Sequence, residues 1–110
     1  MSMDIQQEQN GAVQRLRLCG DLDIYAAASL REHILKALEQ SHQVELLLEE
    51  IAEVDGAGLQ VLVAAKAEAL RLGVALYLSG HSRAVLDAMQ LCRLMPYFGD
   101  PILLTRDMTG

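Results

Sequence analysis

Two short runs, VELLL at residues 44–48 and VALYLS at residues 74–79, constrain the fold of this chain more than any other feature. Each is nearly all aliphatic, bounded by polar residues and too short to stand as a helix, which is the pattern of a buried strand. The stretches around them repeat at helical spacing instead. Residues 26–40 place Ala27, Leu30, Ile34 and Leu38 on one side and Arg31, Glu32, Lys36 and Glu39 elsewhere, and Glu32 to Lys36 is a favourable i,i+4 pair. A second helix opens after Asp55, a good N-cap, and carries Leu59, Leu62, Val63, Ala67 and Leu70 as its expected inward stripe. Gly73 stands where a left-handed C-cap is wanted. Ser82 caps a third helix bearing Val85, Leu86, Met89 and Cys92, and Pro96 blocks its continuation.

Strands alternating with helices in this way predict an α/β domain in which right-handed crossovers lay helices against a partly parallel sheet. Ahead of that alternation, residues 3–8 suit an edge strand and Asn10-Gly11 a tight hairpin turn. Val13, Leu16 and Leu18 then mark a second strand with a local phase break, ending at Gly20-Asp21. Residues 101–104 suit a final short strand or an extended tail. The expectation is one α/β domain over residues 1–110: a mixed, mostly parallel sheet with an N-terminal hairpin and three or four helices packed against it.

Composition narrows the function. Fifteen acidic residues against nine basic ones give a net charge of −6, without the Lys/Arg cluster that phosphate backbones require, so nucleic acid is excluded as a partner. No apolar run approaches the roughly 18 residues of a membrane span, and the start of the chain lacks the basic and apolar regions of a targeting segment, so a soluble cytoplasmic protein without membrane insertion is expected. Cys19 and Cys92 form no Cys-x-x-Cys and read as buried, reduced thiols, while His33, His42 and His81 are too dispersed for a local metal site. Neither a metal nor a cofactor is expected.

The motif that asks for an explanation is Gly56-Ala57-Gly58 at the mouth of the second helix. A dinucleotide fingerprint would need its third glycine at Val61, and a phosphate-binding loop would need Gly-Lys-Ser or Gly-Lys-Thr, whereas the nearest lysine is Lys66, about two turns down the helix. Ser79, His81, Ser82 and Asp87 lack a nucleophile elbow, and the pairs Glu49-Glu50 and Asp21-Asp23 lack a marked cleft, so no catalytic residue is assigned. A surface is left over. Loop 20–23 ends one strand and segment 53–60 leads from another strand end into a helix; if the two strands are neighbours, the loops meet beside helix N-termini, whose unpaired N–H groups favour an anionic group or an acidic partner side chain.

Three stretches in order, LCGDLDIYAAASLREHI, VDGAGLQVLVAAKAEALRLGVALYLSG and AVLDAMQLCRLMPYF, resemble the STAS domain family of bacterial anti-sigma factor antagonists and sulfate-transporter tails. The resemblance covers nearly the whole chain, with residues 12–100 as its signature-bearing core. In that family the loop commonly reads Asp-Ser-Ser-Gly or Asp-Thr-Ser-Gly, and a partner kinase that doubles as an anti-sigma factor phosphorylates the second hydroxyl residue. Asp55 and Gly58 match, Gly56 replaces the first hydroxyl residue, and Ala57 occupies the phosphorylation position. Ala has no nucleophilic oxygen, so the switch is expected to be absent or relocated to a hydroxyl such as Ser29, Ser79 or Ser82. Arg93 stands where many relatives have glycine.

The resemblance implies a non-catalytic regulator that binds another protein through Gly20, Asp21, Asp23, Asp55, Gly56, Ala57, Gly58, Leu59, Gln60 and Lys66, with Ala64 and Arg71 on the exposed face of the second helix. The implied partner is an anti-sigma factor of the kinase-like ATPase type, and the chain itself a monomer or weak dimer. The Asp-x-Ala-Gly pattern is also similar to the STAS subunit of phospholipid-transport ABC complexes, which sits on an ABC ATPase, and to STAS proteins that accompany chemotaxis systems. A nucleotide or lipid sensor is the further alternative within the family.

Overall fold

The computed structural model describes residues 3–91. A two-residue turn at Gly11 and Ala12, with Gly11 at φ 65°, folds β1 (Asp4–Asn10) back along β2 (Val13–Leu22), so the hairpin forms one residue later than the Asn10-Gly11 dipeptide predicts. α1 (Ile24–Gln40), β3 (Gln43–Val54), α2 (Gly56–Leu72), β4 (Ala75–Ser79) and α3 (Arg83–Leu91) follow. The sheet order is β1-β2-β3-β4, antiparallel at the hairpin and parallel across β2-β3 and β3-β4. This is the predicted mixed, mostly parallel α/β architecture.

The core lies on one face of the sheet. Leu16, Leu46 and Leu78 stand side by side across three strands, and with Leu18, Val44, Leu48 and Leu76 they meet the inward residues of all three helices in a single cluster. The opposite face is polar. There Arg15 donates to Glu45 at 2.9 Å and Ser79 to the same carboxylate at 2.8 Å. β3 is therefore half-buried rather than covered on both faces, and at twelve residues it runs well beyond the aliphatic run at 44–48. The phase break in β2 has a concrete cause: Gln14 takes the inward position in place of Val13 and is only 2% exposed, and its Oε1 accepts a bond from the Ser41 hydroxyl at 2.8 Å. A buried amide oxygen left without such a donor would be costly.

The capping chemistry places the helix ends. The Asp23 carboxylate accepts from the N–H groups of Tyr25 and Ala26, both at 3.0 Å, which starts α1 at Ile24, two residues ahead of the expected position. Asp55 caps α2, Gly73 ends it in the left-handed conformation at φ 71°, and Ser82 caps α3 by accepting from Val85 N–H at 3.2 Å. The inward faces need correction in two places. α1 buries Ala26 and Ala37 with Leu30, Ile34 and Leu38, not Ala27. α2 buries Leu59, Leu62, Ala65 and Ala69, whereas Ala67 is exposed and Leu70 is 74% exposed. Cys92, Arg93, Pro96 and the strand or tail expected at 101–110 lie outside the described residues. No helix among the described residues is long and apolar enough to cross a membrane.

Candidate functional site: the paired strand-end loops

The ends of β2 and β3 are neighbours, with Asp21 opposite Glu53 and Leu22 opposite Val54, so the two loops that follow them are brought together. They are also bonded to each other. Asp55 N–H donates to the Leu22 carbonyl at 3.1 Å, and the Asp55 carboxylate accepts from two helices at once: Gly58 N–H at 2.9 Å on Oδ1 and Ile24 N–H at 3.1 Å on Oδ2. One side chain thus satisfies orphan donors at the starts of both α1 and α2. Gly58 completes the joint, because a Cβ at that position would lie 2.2 Å from the Leu22 carbonyl oxygen. The second glycine of the motif is there for a close approach of backbones.

Gly56 and Ala57 are placed differently. Gly56 is exposed with open space where a Cβ would go, and Ala57 is half-buried beside it. Gln60 and Ala64 continue the exposed face of α2, and Arg71 near its end pairs with Glu68. Gly58 and Leu59 are buried, Leu59 in the core cluster, so they set the loop's position from beneath. Lys66 is half-buried and donates from Nζ to the Leu76 carbonyl at 2.7 Å, tying α2 to β4. Gly20, at φ 112°, sits at a register shift in β2, with Asp21 half-buried and Asp23 engaged as a cap.

Two residues escaped the sequence reading. Ile24 and Tyr25, in the first turn of α1, are 63% and 88% exposed and stand directly beside the Asp55 joint. The signal was present. Stepping back from Leu30 the buried stripe reaches Ala26, which leaves Ile24 in phase with exposed Ala28 and Arg31 on the solvent side.

Several other polar groups are engaged within the fold. Ser79 is occupied by Glu45 and Ser82 by its cap, while Glu49 and Glu50 each approach Arg17 at 3.6 Å. Ser29 is exposed on α1. Cys19 is half-buried on the open polar face of the sheet rather than buried as expected; it donates from its thiol to Glu50 at 2.8 Å, and that hydrogen bond, with desolvation and the carboxylate's charge adding to it, raises the thiol above its ordinary pKa.

Among the described residues, a four-stranded mixed sheet with helices on one face, and with two strand-end loops stapled beside the starts of two helices, is a small α/β module of the STAS type. The chain belongs to the STAS domain family: the family profile described as Mlab, STAS domain, matches residues 5–100. It is 29% identical to the anti-sigma-B factor antagonist of Bacillus subtilis over 63 residues, which cover 57% of this chain and 56% of that protein. The match thus spans little more than half of either. Among solved structures, an anti-sigma factor antagonist from Mycobacterium paratuberculosis superposes with a TM-score of 0.78 at 19% identity, covering 96% of this chain and 88% of the other. Unphosphorylated SpoIIAA, a Bacillus anti-sigma factor antagonist, does so with a TM-score of 0.74 at 20% identity, covering 96% and 92%. At those identities the structural likeness is one of fold.

Proposed function

We propose that this protein is a non-catalytic regulator, resembling an anti-sigma factor antagonist, that binds a partner protein through the stapled loops and the exposed start of α2. The observation that carries this reading is the Asp55 joint: two loops from neighbouring strands are fixed to each other, and what they present outward is Gly56, Ala57, Ile24 and Tyr25 rather than a nucleophile and base. Rigidly held loops on a packed scaffold are where binding residues concentrate. The named relative acts against an anti-sigma factor, so the partner proposed here is a protein of that kind, a kinase-like ATPase by the family resemblance.

Ala57 takes the position at which related antagonists are phosphorylated, and residues 54–60 contain no Ser, Thr or Tyr. Binding is therefore proposed to be free of loop phosphorylation and set by the partner's abundance or state. Co-purification from the native host with mass spectrometry tests this. The expected result is a stoichiometric protein partner and a chain of unmodified mass; recovery of no protein partner contradicts the reading, and a stoichiometric phosphate puts the switch on a hydroxyl outside residues 54–60.

A further inference from the structure

Beside the stapled loops a groove of about 510 Å³ runs between the strand ends and α3. Its apolar lining is half-buried Val54 and Ala88 over the buried core residue Leu22, and Leu91 stands at its end with 86% of its surface exposed. Its rim is acidic. Asp23 and Asp55 already accept backbone N–H groups, and Asp87 lies 3.8 Å from Arg83. Asp21 and Glu53 differ from these: they are direct cross-strand neighbours, both line the groove, and neither has an ion-pair partner among the described residues. Both carboxylates add to the negative charge of the rim.

We infer that the groove receives a cationic amphipathic segment of the protein partner, with a Lys or Arg between Asp21 and Glu53 and an apolar side chain against Val54, Ala88 and Leu91. This deepens the docking reading above and rests on it: the loop face gives the position, and the groove gives the partner's chemistry. Complementary charge steers association and selects against acidic competitors, while the apolar lining supplies contact area.

Isotope-labelled full-length protein is titrated with an amphipathic Lys/Leu helical peptide and with a Glu/Leu peptide of the same pattern. The Lys/Leu peptide is expected to shift the amides of Asp21, Glu53, Ala84 and Ala88, and the Glu/Leu peptide to shift none of them. Asp21→Asn with Glu53→Gln should weaken the Lys/Leu peptide by at least about tenfold, whereas Glu32→Gln with Glu39→Gln, which removes equal charge from α1, should change it less than about twofold. Equal losses from both double variants, or shifts confined to α1 or the open sheet face, overturn the inference. The same variants are then tried on the partner recovered from the host. If Ala57→Glu weakens that partner while Asp21→Asn with Glu53→Gln does not, the groove assignment falls and the loop-face reading stands. If neither affects it, the loop-face reading falls as well.

Discussion

Asp55 shows how much of this face depends on single atoms. Asp55→Ala removes acceptors from the first turns of two helices and is expected to cost about 1 to 2 kcal/mol, the range of a lost N-cap. Asp55→Asn keeps one acceptor oxygen and turns the other position into a donor, so it should lie between wild type and Asp55→Ala in a denaturant titration. The two glycines nearby separate in the same assay. Gly58→Ala drives a methyl into the Leu22 carbonyl and should cost about 1 to 3 kcal/mol, while Gly56→Ala meets open space and should stay within about 1 kcal/mol of wild type, on the stabilising side. Equal effects would contradict the joint. At Cys19 the raised thiol pKa favours the protonated form in the fold, so its contribution to stability is complete below the unfolded pKa and is lost as pH rises through the folded one. Glu50→Gln removes the accepting carboxylate, and alkylation of Cys19 in mildly alkaline buffer, followed by peptide mapping, should become faster.

At the scale of elements, the helix ends were legible and the helix faces only partly so. Asp55, Ser82 and Gly73 are visible in the sequence because a capping oxygen or a left-handed glycine acts within a few residues of itself. α2 carries only four polar residues in seventeen, Gln60, Lys66, Glu68 and Arg71, so apolar side chains occur all round it and several stripes fit. Packing against the sheet selects Leu59, Leu62, Ala65 and Ala69, whose alanines let the helix lie close, and turns Leu70 outward. Leu62→Ala is accordingly expected to cost about 2 to 5 kcal/mol and Leu70→Ala less than about 0.5 kcal/mol in thermal or denaturant unfolding. A large loss at Leu70 would put the helix face wrong. Strand lengths were harder: β3 continues through Glu49, Glu50 and Glu53 because parallel pairing with β2 holds a polar stretch that composition alone does not mark as a strand.

For the whole molecule, adjacency of β2 and β3 is what turns two separate loops into one face, and that adjacency is tertiary information that a single sequence carries only through the order of its elements. The candidate loops were legible from their glycines and acids; their bonding through Asp55, and the exposed Ile24 and Tyr25, became visible only with the sheet assembled. The central claim is that this face recognises a partner rather than merely closing a turn. Ala57→Glu tests it most directly, with affinity for the co-purified partner measured beside a melting curve of the same variant. A carboxylate near a helix start gains about 0.3 to 1 kcal/mol, and repulsion from Asp55 and Asp23 offsets much of it, so stability should change by less than about 1 kcal/mol. Buried in an interface without a counter-ion, the same charge should weaken binding by about 2 kcal/mol or more, roughly thirtyfold in Kd. Weakened binding with an unchanged melt is the predicted result; unchanged binding with an unchanged melt contradicts the claim.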